Sequence, residues 1–255
     1  MNGIDVTKRL WRLKRRSWSY PEWWSLCLCV MAWFVLLGTA AGAHGVRTAP
    51  GYSHHHPSAS NAMQTGQMIW WTEGWWWVVM VMAMMFPMLI GPIRRTAACS
   101  LWRRRHHAIV GFLLGYLATW LIFGLVAAVA VFQFQEHTSL QAAELAAVVF
   151  AVALVWQRTA VKRRSVLACH RTQSLAPSGW RADRDCLRYG WMIGSWCLVS
   201  CGFLMLGCMV AGHGLPAMVG VTAVGLIERS RPRPNQLLLS SIIAVVGLTC
   251  LIIRR

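Results

Sequence analysis

From Gly74 to Ile93 the chain runs for 20 residues without a charged side chain, and at helical rise that length covers about 30 Å, the thickness of a bilayer's hydrocarbon core. A backbone shielded from water must satisfy its own hydrogen bonds, and an α-helix does so within one segment. Charge-free or nearly charge-free runs recur at Trp23 to Ala43, Ala108 to Phe134, Leu140 to Trp156, Tyr189 to Gly212, Leu215 to Ile227 and Leu237 to Ile253. The expected fold is therefore all-α, a polytopic transmembrane helix bundle of about six to seven spans. Only 13% of the residues are charged and mean hydropathy is +0.46, against about 25% charged in soluble domains. The weakest run is 215–227, whose 13 residues cover about 20 Å at helical rise and fit a re-entrant or tilted segment as well as a crossing.

A net charge of +17 raises the question of nucleic acid, and the placement of the basic residues answers it. Lys8, Arg9, Arg12, Lys14, Arg15 and Arg16 precede the first run; Arg94, Arg95, Arg103, Arg104 and Arg105 follow the second. Arg158, Lys162, Arg163, Arg164, Arg171, Arg181, Arg184 and Arg188 lie between the fourth and fifth, and Arg229, Arg231 and Arg233 follow the sixth. In a seven-span topology 22 of the 25 fall on one side, which the positive-inside rule makes the cytoplasm and which puts the amino terminus there. If 215–227 does not cross, the division becomes 21 to 4, so charge leaves the side of the carboxyl terminus open. Basic residues beside anionic headgroups account for the charge, and no nucleic-acid partner is expected. The predicted location is a bacterial inner membrane, with the lipid bilayer as partner.

Residues 1–22 read as a basic cytoplasmic leader and 23–255 as a single transmembrane domain. Ala41-Gly42-Ala43 imitates a signal-peptide cleavage site, but an apolar run of 21 residues exceeds a usual signal core, so the first run reads as an uncleaved anchor. The loop 44–73 faces outward and carries His54, His55 and His56 followed by Met63 and Met68, which makes it a candidate metal-capture arm or simply a solvated loop.

Methionine is the chemical signature of the second run, with Met80, Met82, Met84, Met85 and Met88 around Pro87. Thioether sulfur offers a lone pair at lipid depth without a charge. On an ideal helix Met80, Met84 and Met88 fall within an arc of about 80°. Pro87 removes a backbone donor and should leave the Ala83 carbonyl without its usual partner. The fifth run carries a second soft stripe, Cys197, Cys201, Met205 and Cys208, with His213 beyond it. Counted at helical rise from the outer ends, the two stripes descend to matching levels, so the two helices are expected to touch, with Met84 level with Cys201. Thiolate plus thioether favours Cu(I) over zinc. Each stripe alone is also ordinary membrane-core packing, and Cys169-His170 reads as a reduced bystander.

The pattern Trp77-x2-Met80-x2-Ala83-Met84-Met85-x-Pro87 resembles the opening motif of a bacterial family of predicted metal-binding integral membrane proteins, some labelled copper chaperones. Gly115-Tyr116-x3-Trp120, Gln157-x-Thr159-x2-Lys162-x6-Cys169-x-Arg171, Cys201-x3-Met205-x6-Gly212 and Glu228-Arg229 resemble later motifs in the same order. The likeness covers roughly 77–229 and implies a membrane architecture with a metal role. Two positions depart from it. Ser200-Cys201-Gly202 stands where the family carries adjacent cysteines before an aromatic residue, and His213-Gly214 where it carries Met-Asn; Cys197, Cys208 and His213 offer substitute donors.

The expected function is soft-metal handling, with copper as Cu(I), by a chaperone or facilitator that serves a periplasmic or membrane copper-protein client. The candidate ligands are Met80, Met84, Met88, Cys197, Cys201, Met205, Cys208 and His213. No phosphate-binding glycine loop, aspartyl-phosphate motif or acidic pair drives transport, and no enzyme is expected. The alternative is a structural or assembly subunit without metal, anchored by Trp70, Trp71, Trp75, Trp76 and Trp77. A thiol-redox enzyme is disfavoured because the chain has no Cys-x-x-Cys and no visible base beside a cysteine.

Overall fold

The structure, a computed structural model, describes residues 23–43, 74–138, 141–230 and 236–253. The basic leader and the loop bearing His54, His55 and His56 lie outside the described residues. Among those described there are eight helices and no strand. They are α1 (Trp23–Ala43), α2 (Gly74–Cys99, tightened to a 3-10 turn over Phe86–Leu89), α3 (Arg105–His137), α4 (Ala142–Gln157), α5 (Ala160–Ala168), α6 (Gly179–Val210), α7 (Leu215–Ser230) and α8 (Gln236–Ile253).

Three of these, α2, α3 and α6, are long and apolar enough to cross a membrane, and α4 with α5 makes a fourth if that pair, bent by 79°, is one span. Among the described residues this bears out the all-α architecture but does not confirm the expected count of six to seven. Runs without charge measure compatibility with lipid, whereas turns decide how long a helix becomes. A turn through Gly212 and His213, both at positive φ, ends α6 and confines α7 to 16 residues.

The core is the parallel pair α3 and α6. Leu101, just before α3, donates its N–H to the Pro177 carbonyl just before α6, at 3.4 Å. Arg104 and Asp183 form an ion pair of 2.6 Å one turn on, and Tyr116 meets Cys197 further along. Both helices carry glycines four apart where they meet, Gly111 with Gly115 and Gly190 with Gly194. A Cβ on Gly115 would run into the Leu187 carbonyl, and one on Gly190 into that of Phe112, so the backbones lie closer than side chains would permit. α2 runs antiparallel to α3: Trp77 donates its indole N–H to the Trp120 carbonyl at 2.9 Å, and the later Met85 reaches the level of Tyr116 through Cys197.

Two prolines shape α2, and other helices complete the hydrogen bonds that they break. Pro87 cannot donate to the Ala83 carbonyl, as expected, and α1 supplies the missing donors: Trp33 Nε1 at 3.0 Å and the Cys29 thiol at 3.4 Å. Pro92 likewise cannot donate to the Met88 carbonyl, and Arg229 of α7 reaches it with Nη1 at 2.7 Å.

α4 starts at a capping box of Gln141 and Glu144 and runs antiparallel to α6. Trp156 donates to the Val199 carbonyl at 3.0 Å, and Phe150 fills the notch at Gly207. Thr159 then caps α5, accepting the Lys162 N–H at 3.2 Å, and the bend turns α5 in against α6.

Candidate metal centre

Lys162 of the α4–α5 motif and Glu228 and Arg229 of the α7 motif converge in the interior instead of lining a headgroup belt. Lys162 lies 2.9 Å from the Glu228 carboxylate, with side-chain exposures of 2% and 4%. Its ammonium also donates to the Ser200 carbonyl at 2.6 Å, and Gln157 donates to the second Glu228 oxygen. The lysine is therefore not one of the surface basic residues that its sequence neighbourhood implied. A buried pair of this kind is tolerable only when further hydrogen bonds complete it, as they do here.

The same backbone leads to the thiols. Ser200 Oγ donates to the Cys197 carbonyl at 3.0 Å and stands 3.2 Å from Cys201 Sγ. Cys197 lies wholly inside, receives a hydrogen bond from the Tyr116 hydroxyl at 3.3 Å and points its own thiol at Met85 Sδ, 3.8 Å away. The second and fifth runs thus touch, as expected. The sulfur that stands against Cys197 is Met85, a residue placed off the methionine stripe by ideal helical phase. Met80, Met84, Met205 and Cys208 are all completely buried, so α2 at this level has neighbours on every side and phase alone does not say which of them a given side chain meets. Met88 is also buried, and its thioether occupies the place that a Cβ on Gly225 of α7 would take. His213 sits in the turn beyond α6, its N–H bonded to the Cys208 carbonyl at 2.9 Å.

Cys27, Cys29, Cys99, Cys169, Cys186 and Cys208 are free thiols, as are Cys197 and Cys201, whose spacing on one helix forbids a disulfide. No group of three His, Cys, Asp or Glu side chains among the described residues converges on a metal-sized point. What the interior offers is a mixed set of two thiols and a thioether. At a metal–sulfur distance of about 2.3 Å, two sulfurs 3.8 Å apart subtend about 110° at a shared ion, within the range that sulfur sites use.

Arg229 gives the independent sign that an anionic group fits here. Nη1 is committed to the Met88 carbonyl, while Nη2 is buried and makes no hydrogen bond of good geometry among the described residues, the Cys169 thiol beside the guanidinium being only a weak acceptor. Cys197, Cys169, Tyr116 and Cys201 surround it electrostatically, and the buried carboxylate of Glu228 is already paired with Lys162. Just past the C-terminal end of α5, the His170 imidazole is held below its usual pKa by partial burial first and by Arg229 second.

Sequence reasoning selected Cys197 and Cys201 but did not place Met85, Tyr116, Gln157, Lys162, Glu228 or Arg229 in the site. The available sign was a charged pair and a lysine adjoining apolar runs, since ionisable residues at membrane depth are usually functional. The comparisons add the remaining strand of support. No curated protein and no solved structure matches the chain. A family profile described as PpoB2, copper chaperone, matches residues 75–253. That stretch begins at the methionine helix and takes in the thiols, the Lys162–Glu228 pair and Arg229, and the chain accordingly belongs to the PpoB2 copper chaperone family.

Proposed function

We propose that this chain is a multi-pass inner-membrane protein that holds Cu(I) between Met85, Cys197 and Cys201 and passes it to a periplasmic or membrane client, as a chaperone or facilitator and not as an enzyme. The observation that carries this reading is the contact of the Cys197 thiol with Met85 Sδ at 3.8 Å, wholly buried and adjoining Cys201. Soft neutral and thiolate donors in a space whose one nearby carboxylate is already paired match the soft monovalent ion better than zinc or iron. Met80 and Met84 on α2, and Met205 and Cys208 on α6, lie on the same side of Met85 and Cys197 and would be the donors met by an ion travelling between the site and that end. Met88 and His213 complete the candidate set.

The membrane setting is supported by the helix lengths and by the basic residues gathered where α3 and α6 begin, Arg103, Arg104 and Arg105 beside Arg181 and Arg184. Cys197 follows the last charged residue of α6, Arg188, by nine positions, about 14 Å at helical rise, close to half the depth of a hydrocarbon core.

The test is the metal content of the full chain purified under reducing conditions. Stoichiometric copper is expected, with most of it lost in Cys197→Ser and Cys201→Ser proteins that still fold. A parent without copper sinks the reading and returns the chain to a metal-free assembly role. Orientation has its own test: a single reporter cysteine at Ser53 should label without permeabilising the inner membrane.

A further inference from the structure

The sulfur site carries a positive charge that nothing else among the described residues balances. Lys162 and Glu228 cancel one another. Tyr116, Cys197 and Cys201 are neutral while protonated. Arg229 remains, fixed in its charged state by chemistry and fixed in place through Nη1 on the Met88 carbonyl, with Nη2 buried and met by nothing better than the neutral, weakly accepting Cys169 thiol. A buried guanidinium with an open donor costs stability until an anion meets it.

We propose that Arg229 is the specificity-determining counter-charge of the site, selecting monovalent thiophilic cations such as Cu(I) and Ag(I) over divalent ones by the net charge of the complex each would form. This selectivity rests on the copper reading above and concerns how the same site discriminates between ions. A monovalent ion entering between Cys197 and Cys201 displaces both thiol protons to solvent and leaves two metal–thiolate bonds, a unit of net charge −1 to which the Met85 thioether adds no charge. Arg229 then makes the centre electrically neutral. A divalent ion bound by the same two thiolates gives a neutral unit and leaves Arg229 as uncompensated as before. A third thiolate would remedy that, but three such ligands do not converge among the described residues. At an effective dielectric of about 20, one unit charge at about 6 Å changes the ratio of the two affinities about a hundredfold.

The experiment uses full-length reduced protein in lipid nanodiscs and compares Ag(I) with Cd(II) by competition against chelators of known affinity. Arg229 also completes the hydrogen bonding of α2, so its charge is tested in a Pro92→Ala background, where the Met88 carbonyl regains a helical donor. There Arg229→Gln should lower the Ag(I)-to-Cd(II) preference about a hundredfold, and Arg229→Lys should restore most of it. An unchanged ratio in Arg229→Gln overturns the proposal, as does equal weakening for both ions, which would mark a structural role only. A parent that binds Cd(II) at least as tightly as Ag(I) overturns it without any variant. A parent that retains neither Cu(I) nor Ag(I) refutes instead the copper reading on which it stands.

Discussion

Lys162 and Glu228 sit 2.9 Å apart with both side chains almost wholly buried, joined across two helices that the sequence separates by 66 positions. Removing one partner strands the other. Lys162→Met or Glu228→Gln alone should cost about 3–5 kcal/mol, while Lys162→Met with Glu228→Leu should recover much of the loss. Thermal unfolding in detergent measures all three; a double variant no more stable than the worse single would show that the pair is net stabilising.

Met85 and Met84 are adjacent and equally buried, yet it is Met85 whose sulfur lies against the Cys197 thiol. Leucine keeps the volume and apolarity of methionine and removes only the donor. Copper retention should fall more in Met85→Leu than in Met84→Leu, and metal analysis of the purified proteins reads the difference directly. The reverse order would move the site up α2 to the level first expected from depth counting.

Trp33 supplies a donor to the carbonyl that Pro87 releases. Trp33→Phe should destabilise by about 1–3 kcal/mol by leaving Ala83 short of a partner, partly relieved by the Cys29 thiol already there. In a Pro87→Ala background, where the helix can provide its own donor, the same substitution should cost distinctly less. A double-mutant cycle yields the coupling, and a zero coupling would deny the exchange of partners.

The glycines of α3 make a sharper comparison. A Cβ at Gly111 would meet Cys186 Cβ at 3.6 Å, an ordinary contact, whereas one at Gly115 would meet the backbone of Leu187, which cannot rotate away. Gly111→Ala should fold normally and Gly115→Ala should lower the melting temperature or abolish folded yield. Equal tolerance would mean that the two helices lie further apart than described.

Much of the architecture can be read directly from the amino acids. The uncharged runs locate α2, α3 and α6, and Pro87 announces an unpaired carbonyl at Ala83. The partners that satisfy it could not be read, because Cys29 and Trp33 are ordinary residues of an apolar helix until docking brings them to that oxygen. The site was half legible for a similar reason. Cys197 and Cys201 declare themselves by spacing on α6. Met85 does not, since a helix enclosed all round gives periodicity no solvent face to report. Lys162 and Arg229 are hidden by context: each sits near other arginines in the sequence, and only the 79° bend after α4 and the docking of α7 carry them inward. The paired Gly-x3-Gly spacings of α3 and α6 were present all along and identify the closest helix contact.

The capping of Met88 by Arg229 also sets an order of events during synthesis. The ribosome delivers Met88 141 residues before the arginine that completes its helix, and a carbonyl shielded from water seeks any donor within reach. Until α7 emerges, α2 is an unfinished element awaiting a late-arriving part. The surroundings of the sulfur cluster are consequently completed only after α7 has followed α6, so a chain truncated before Arg229 holds the same thiols beside an α2 whose Met88 carbonyl lacks its donor.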